Sequence, residues 1–171
     1  MNKRGFTLFE TILYISIIGI ILAIMSSFVL NLMNARMKVQ ASSEVVHAAR
    51  LFEDRLSDAV RHAKSINVSS SIFGIDPGII SLQMIDVTKD PTVFRLDVDN
   101  GKIEVSEGGG SFQFLTTAKL STSNLVFTNL TTAKDKGVIQ VLFTFSTLNP
   151  SNVPFYYFTK SFQSSYRIPL P

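Results

Sequence analysis

The chain has 171 residues, no cysteine and no tryptophan, a formal net charge of +3 and a mean hydropathy of +0.27. Without cysteine there is no disulfide, no thiolate metal site and no thiol nucleophile, and the length suits one modest domain plus an added segment. From Ile66 onward eight Lys/Arg balance eight Asp/Glu, so the positive excess lies upstream and the neutral remainder argues against a nucleic-acid surface.

Lys3 and Arg4 precede Gly5, and from Phe6 to Leu32 no Lys, Arg or Pro interrupts an apolar run in which Glu10 is the one carboxylate. As a helix the run is roughly 40 Å long, more than a ~30 Å hydrocarbon core requires. The two cations place residues 1–5 in the cytoplasm and everything after Leu32 outside. A secretory signal core of about 7–15 residues is much shorter than this run, and Ala23-Ile24-Met25-Ser26-Ser27 is a poor cleavage site. A carboxylate at membrane depth costs on the order of 3 kcal/mol, which makes Glu10 a functional candidate. Locally, Thr7-Leu8-Phe9-Glu10 has the Thr-x-x-Glu spacing of a capping box, and a first-turn carboxylate complements the helix dipole. That accounts for the tolerance of Glu10 but leaves Gly5 unexplained.

The expected boundaries are 1–5 for a leader, 6–33 for a membrane helix, 34–65 for an amphipathic stem and 66–171 for a β-rich domain. Along the stem, Met37, Ala41, Val45, Ala49, Phe52, Leu56, Val60 and Ala63 recur every three or four residues. This is the stripe of a helix that packs on a sheet. Most charges, including Glu44, Arg50, Asp54 and Arg61, fall elsewhere. The first proline is Pro77, so Gly19 and Ser26-Ser27 are the expected places for bending or local melting.

After Ser65 the period shortens to that of strands. Ile79–Val87 and Thr92–Val98 alternate apolar and polar residues, and Asp99-Asn100-Gly101 supplies a turn into Lys102–Val105. Phe112–Leu115, Leu125–Leu130, Val138–Ser146 and Phe155–Phe162 are further strand candidates, with Val138–Ser146 central. The fold class is therefore α+β, a long N-terminal helix packed on a C-terminal antiparallel β-sheet domain.

The remaining chemistry-bearing residues have bland readings. His47 and His62 lie fifteen residues apart, ~22 Å along a helix, too far to share a ligand. Asp97-Val98-Asp99-Asn100-Gly101 with Glu104 has a partial calcium-loop pattern, but its glycine comes one residue early and its closing Glu too soon. The hairpin reading is preferred, so no metal and no cofactor are expected. The sequence holds no phosphate loop, no nucleophile elbow and no histidine in the β region, and no enzymatic activity is expected. Lys134 and Lys136 flank Asp135 on one loop, too little for a nucleic-acid site.

Lys3-Arg4-Gly5-Phe6-Thr7-Leu8-Phe9-Glu10 resembles the processing site of class III signal peptides, those of type IV prepilins and type II secretion pseudopilins. The resemblance covers about the first thirty residues. It implies cleavage by prepilin peptidase after Gly5, methylation of the new N-terminus at Phe6, and a role for Glu10 in assembly. The Phe6 amine and the Glu10 carboxylate, paired across neighbouring subunits, would offset each other's burial cost and fix axial register. The resemblance also implies an inner-membrane assembly platform, other pilin or pseudopilin subunits as partners, and single-pass membrane residence before export into a surface or periplasmic fibre. The strand-rich C-terminal part is loosely similar to J-type pseudopilins and minor pilins, which implies a place in a tip or initiation complex. A major pilin and a DNA-binding competence minor pilin are the alternatives within the family. A bitopic protein with a ligand-binding ectodomain is the alternative outside it.

Overall fold

The computed structural model describes residues 7–132, 137–149, 152–153 and 155–169. It opens with α1 (Leu8–Arg61), one helix of 54 residues, ~80 Å long. Nothing in 8–61 removes a backbone N–H, and the ladder runs unbroken through Gly19 and Ser26-Ser27, where bending or melting was expected.

Eight strands follow, β1 (Ala63–Ile66), β2 (Ile79–Met84), β3 (Thr92–Asp97), β4 (Lys102–Ser106), β5 (Gln113–Phe114), β6 (Leu120–Asn129), β7 (Val138–Thr147) and β8 (Thr159–Arg167). They form two antiparallel meanders rather than one sheet, β1-β2-β3-β4-β5 and β6-β7-β8. The expected α+β architecture, a long helix packed on antiparallel sheet, is observed.

Several boundaries differ from expectation: β8 runs over Thr159–Arg167 rather than Phe155–Phe162, and three others differ for a plain local reason. The helix ends at Arg61 rather than Ser65. His62 caps it with its N–H on Asp58 O and Val60 O, and Ala63 already pairs with Met84 in β1–β2. β2 stops at Met84, short of Val87, because the Asp86 side chain accepts from Thr88 N and caps a 3-10 turn over Val87–Lys89. β6 starts at Leu120, five residues before the expected Leu125. Its polar first half pairs with β7 up to a register shift between Ser123 and Val126, where Asn124 takes φ 53°. The Asp99-Asn100-Gly101 turn is the expected hairpin. Asp97 accepts from the N–H groups of Asp99 and Asn100 and from Asn100 Nδ2 at 2.7 Å, and Gly101 supplies φ +60°.

The core lies between α1 and the two sheets. Ala41, Val45, Ala49, Phe52, Leu56, Val60 and Ala63 of the expected stripe are buried, while Met37 is half-buried. Ala48 and Ala59 join the buried face, their small side chains letting the helix approach closely. Phe52 is the pivot, edge-on to Phe143 of β7 at 4.9 Å and to Phe94 of β3 at 6.2 Å. One ring thus ties both sheets to the helix, and Phe143 stacks on Phe162 of β8 at 5.3 Å. Fully burying such side chains stabilises by about 1.5–3 kcal/mol each. The connection ahead of β2 also meets the second sheet, since the N–H groups of Gly74 and Gly78 donate to Phe127 O and Leu125 O of β6. Gly78 lies so close that a Cβ there would be 2.8 Å from Leu125 O.

Candidate functional site

The site expected from the sequence is the start of α1. Lys3, Arg4, Gly5 and Phe6 lie outside the described residues. Thr7 is the N-cap in extended conformation, and its Oγ1 accepts from Glu10 N at 3.3 Å. Thr11 closes the first turn, donating its N–H to Thr7 O at 3.2 Å. This places Glu10 in the first turn, where a carboxylate is favoured by the helix dipole.

From here the helix is apolar on every side and, among the described residues, none of its apolar side chains up to Met33 is buried. Leu8 is 80% exposed, and Ile12, Ile18, Leu22, Phe28 and Leu30 are all exposed. The best 18-residue window has mean hydropathy 2.5 and contains no buried residue. A helix that is hydrophobic all round and uncovered by its own protein is suited to lipid or to other helices. Two of its hydroxyls bond back to the helix backbone. Thr11 Oγ1 donates to Thr7 O, and Ser16 Oγ donates to Ile12 O at 2.8 Å. That is what a backbone in hydrocarbon demands.

Intrachain packing begins at Ala41, one turn before a polar junction centred on Glu44. Its carboxylate accepts from Tyr156 Oη at 2.6 Å, from Lys119 Nζ at 3.4 Å and from Gln40 Nε2 at 3.3 Å. The Tyr156 hydroxyl is the main reason that the Glu44 carboxyl is held below its ordinary value. The same bond, with some burial, pushes the Tyr156 hydroxyl up to about 12. Further along, Ser164 of β8 donates to Glu53. Neither glutamate was singled out as a contact from the sequence. One available signal was spacing, for no Asp or Glu occurs between Glu10 and Glu44.

At the far end of the domain a cleft of about 770 Å³ opens between the last turns of α1 and the sheet edge, lined among others by Arg55, His62, Ile85, Lys89 and Phe114. Its charges are mixed. His62 Nδ1 is engaged with Asp58, 2.9 Å from the carbonyl oxygen and 3.3 Å from Oδ1. His47 is exposed on α1. Among the described residues there is no group of three or more His, Cys, Asp or Glu that could hold a metal. Lys134, Asp135 and Lys136 lie outside the described residues.

Residues 1–26 match the family model described as the prokaryotic N-terminal methylation motif. The match covers the basic leader, Gly5, Phe6, Glu10 and most of the bare helix. The match supports a type IV pilin-like chain with a class III, prepilin-type signal over these residues. The motif supports a type IV pilin-family subunit, implies processing by prepilin peptidase and assembly with other pilins, and fits membrane anchoring before export. Neither the curated proteins nor the solved structures include a match to the chain.

Proposed function

We propose that this pilin-like chain is a minor pilin or minor pseudopilin of a type IV pilus, type II secretion or related fibre, a structural subunit rather than a catalyst. Prepilin peptidase cuts between Gly5 and Phe6, removing Lys3 and Arg4 with the leader, and Phe6 becomes the methylated N-terminus. The observation that carries this reading is α1 itself. Its capped start and uncovered apolar half run without interruption into a half that buries one face against the sheets. Such a helix serves as a membrane anchor first and as an assembly element afterwards.

In the fibre, the Phe6 amine of one subunit meets Glu10 of its neighbour. Either charge buried alone costs several kcal/mol, and breaking such a pair leaves the other uncompensated. A slipped subunit loses both, so the pair selects axial register. The cysteine-free sequence lacks the C-terminal disulfide clamp of many Gram-negative major pilins, which favours a minor subunit in a tip or initiation complex. There it joins other pilin subunits and the inner-membrane assembly platform.

The test is intact-mass spectrometry of the protein from membranes of a host with active peptidase. The expected species begins at methylated Phe6. An intact Met1 terminus overturns the reading in favour of a plain membrane anchor with a binding ectodomain. In parallel, Glu10→Val is expected to insert normally and to lose fibre incorporation; normal incorporation removes the charge-pair account.

A further inference from the structure

We propose that Leu148, Val153, Phe155 and Tyr157, which follow β7 and precede β8, form a lipid-contacting pad that seats the domain on the outer surface of the bilayer before the subunit enters a fibre. The inference rests on the membrane-anchor reading of α1. It concerns a different part of the chain.

The helix gives the domain a direction. Tyr156 reaches Glu44, near the first buried turn of α1, and Ser164 of β8 reaches Glu53 higher up. β7 therefore descends toward the membrane side, β8 climbs away from it, and Leu148, Val153, Phe155 and Tyr157 lie at the end nearest the bare helix. That end is apolar where solvent would favour polar residues. Phe155 is 56% exposed, Tyr157 68% exposed, and Leu148 and Val153 are exposed beside them. Phe155 holds its ring outward at φ 67°, and nearby Asn152 has φ 47°. For a bulky residue such a φ costs on the order of 1–3 kcal/mol, so the exposed ring is maintained against the local preference.

The pad is also fastened. Leu148 N donates to Lys119 O at 2.7 Å, and Asn149 bridges to the backbone of Val153 at both ends of its amide. Tyr156 and Lys119 converge on Glu44 from the domain side. A tethered aromatic surface with polar tips matches the chemistry of the membrane–water interface, where Tyr and other aromatic rings concentrate. Lys119 accepts the Leu148 N–H at its carbonyl and Lys160 pairs with Phe145, while Arg36 and Lys38 lie on the stretch of α1 between Met33 and Glu44; cations at this level suit anionic headgroups. Of the carboxylates at this end, Glu44 is bonded to Tyr156 and Lys119, Asp97 is folded into its own turn, and Asp99 sits on that hairpin. Met33 to Glu44 is ~16 Å along the helix, and the ordinary tilt of membrane helices lowers one side of the domain toward the headgroups.

The chain has no tryptophan, so single substitutions give clean fluorescence reporters in the full-length protein. Phe155→Trp and Tyr157→Trp are placed at the pad, Ile20→Trp in the bare helix, and Val87→Trp at the opposite end of the domain. Each is reconstituted in phosphatidylcholine–phosphatidylglycerol vesicles, with and without brominated acyl chains. Blue-shifted emission quenched by brominated lipid is expected at Ile20→Trp and at both pad positions, and none at Val87→Trp. Quenching at Ile20→Trp with neither pad reporter quenched overturns the pad and leaves the anchor standing. A pad shift that grows with protein-to-lipid ratio without brominated-lipid quenching overturns it in favour of contact with a second copy. Lack of quenching at Ile20→Trp overturns the anchor, and the pad with it.

Discussion

The two halves of α1 share one backbone and one secondary structure, yet they solve opposite problems. Between Leu8 and Met33 apolar side chains point in every direction and none is covered within the chain. Between Ala41 and Val60 most of them fall on one stripe, which is buried, with Leu51 the exposed exception. The difference lies in distribution rather than in amount of hydrophobicity. A stripe specifies a partner within the chain, whereas all-round apolarity leaves the partner to be supplied from outside, by lipid or by other helices.

The sharpest way to break this contrast is at the leader. Gly5→Leu is expected to abolish processing entirely, leaving the precursor mass in the membrane, while the domain keeps its wild-type melting temperature. Next comes a matched pair of truncations. Phe52→Ala removes the ring that joins α1 to both sheets and is expected to cost about 3–5 kcal/mol. Ile20→Ala, in the uncovered half, is expected to leave domain stability unchanged. Denaturant titration of the full chain in detergent reads both, and equal effects would mean that the halves are not separable.

A smaller effect is expected where the halves meet. Tyr156→Phe removes one charge-assisted hydrogen bond to Glu44 and should cost about 1.5–3 kcal/mol or less, read as faster amide exchange at residues 147–158. The pH dependence of that exchange has a definite sign. The Glu44 carboxyl lies below its ordinary 4.5, chiefly through Tyr156, so its contribution is full above that value and is lost as pH falls through the lowered one. The Tyr156 hydroxyl is raised from 10.0 to about 12, so its contribution is full below pH 10.0 and is lost as pH rises through about 12. Protection should therefore be flat between these limits and fall on both sides. Tyr156→Phe should remove the alkaline fall.

Much of the fold was legible because periodicity and turn chemistry agreed. The stem stripe, the Asn100-Gly101 hairpin and the strong β7 run each satisfy a local and a tertiary demand together. What stayed hidden was decided by side chains acting over distance. Phe155-Tyr156-Tyr157-Phe158 has the composition of a strand, yet β8 begins only at Thr159, because Tyr156 turns to Glu44 and Phe155 and Tyr157 face outward. Ala63-Lys64-Ser65-Ile66 looks like the tail of a helix, and only its pairing with β2 makes it a strand. The bonds from Gly74 and Gly78 join the connection ahead of β2 to β6, and no spacing in the sequence announces that. Of the candidate site, Glu10 and its Thr7 cap were legible as a capping signal, but Glu44 was invisible as an anchor, since a charge beside an apolar stripe is ordinarily a solvated one.

The join between α1 and β1 has a mechanical consequence. Helix and strand are separated by His62 alone, whose carbonyl accepts from Ile85 N while its own N–H closes the helix. The helix cannot turn about its axis, or slide along it, without carrying the edge of the five-stranded sheet. A pull on the N-terminal helix is therefore delivered to the domain as shear spread along two sheets, rather than as peeling at a single hinge. For a subunit held in a filament by that helix, tension would be borne by the whole packed face at once.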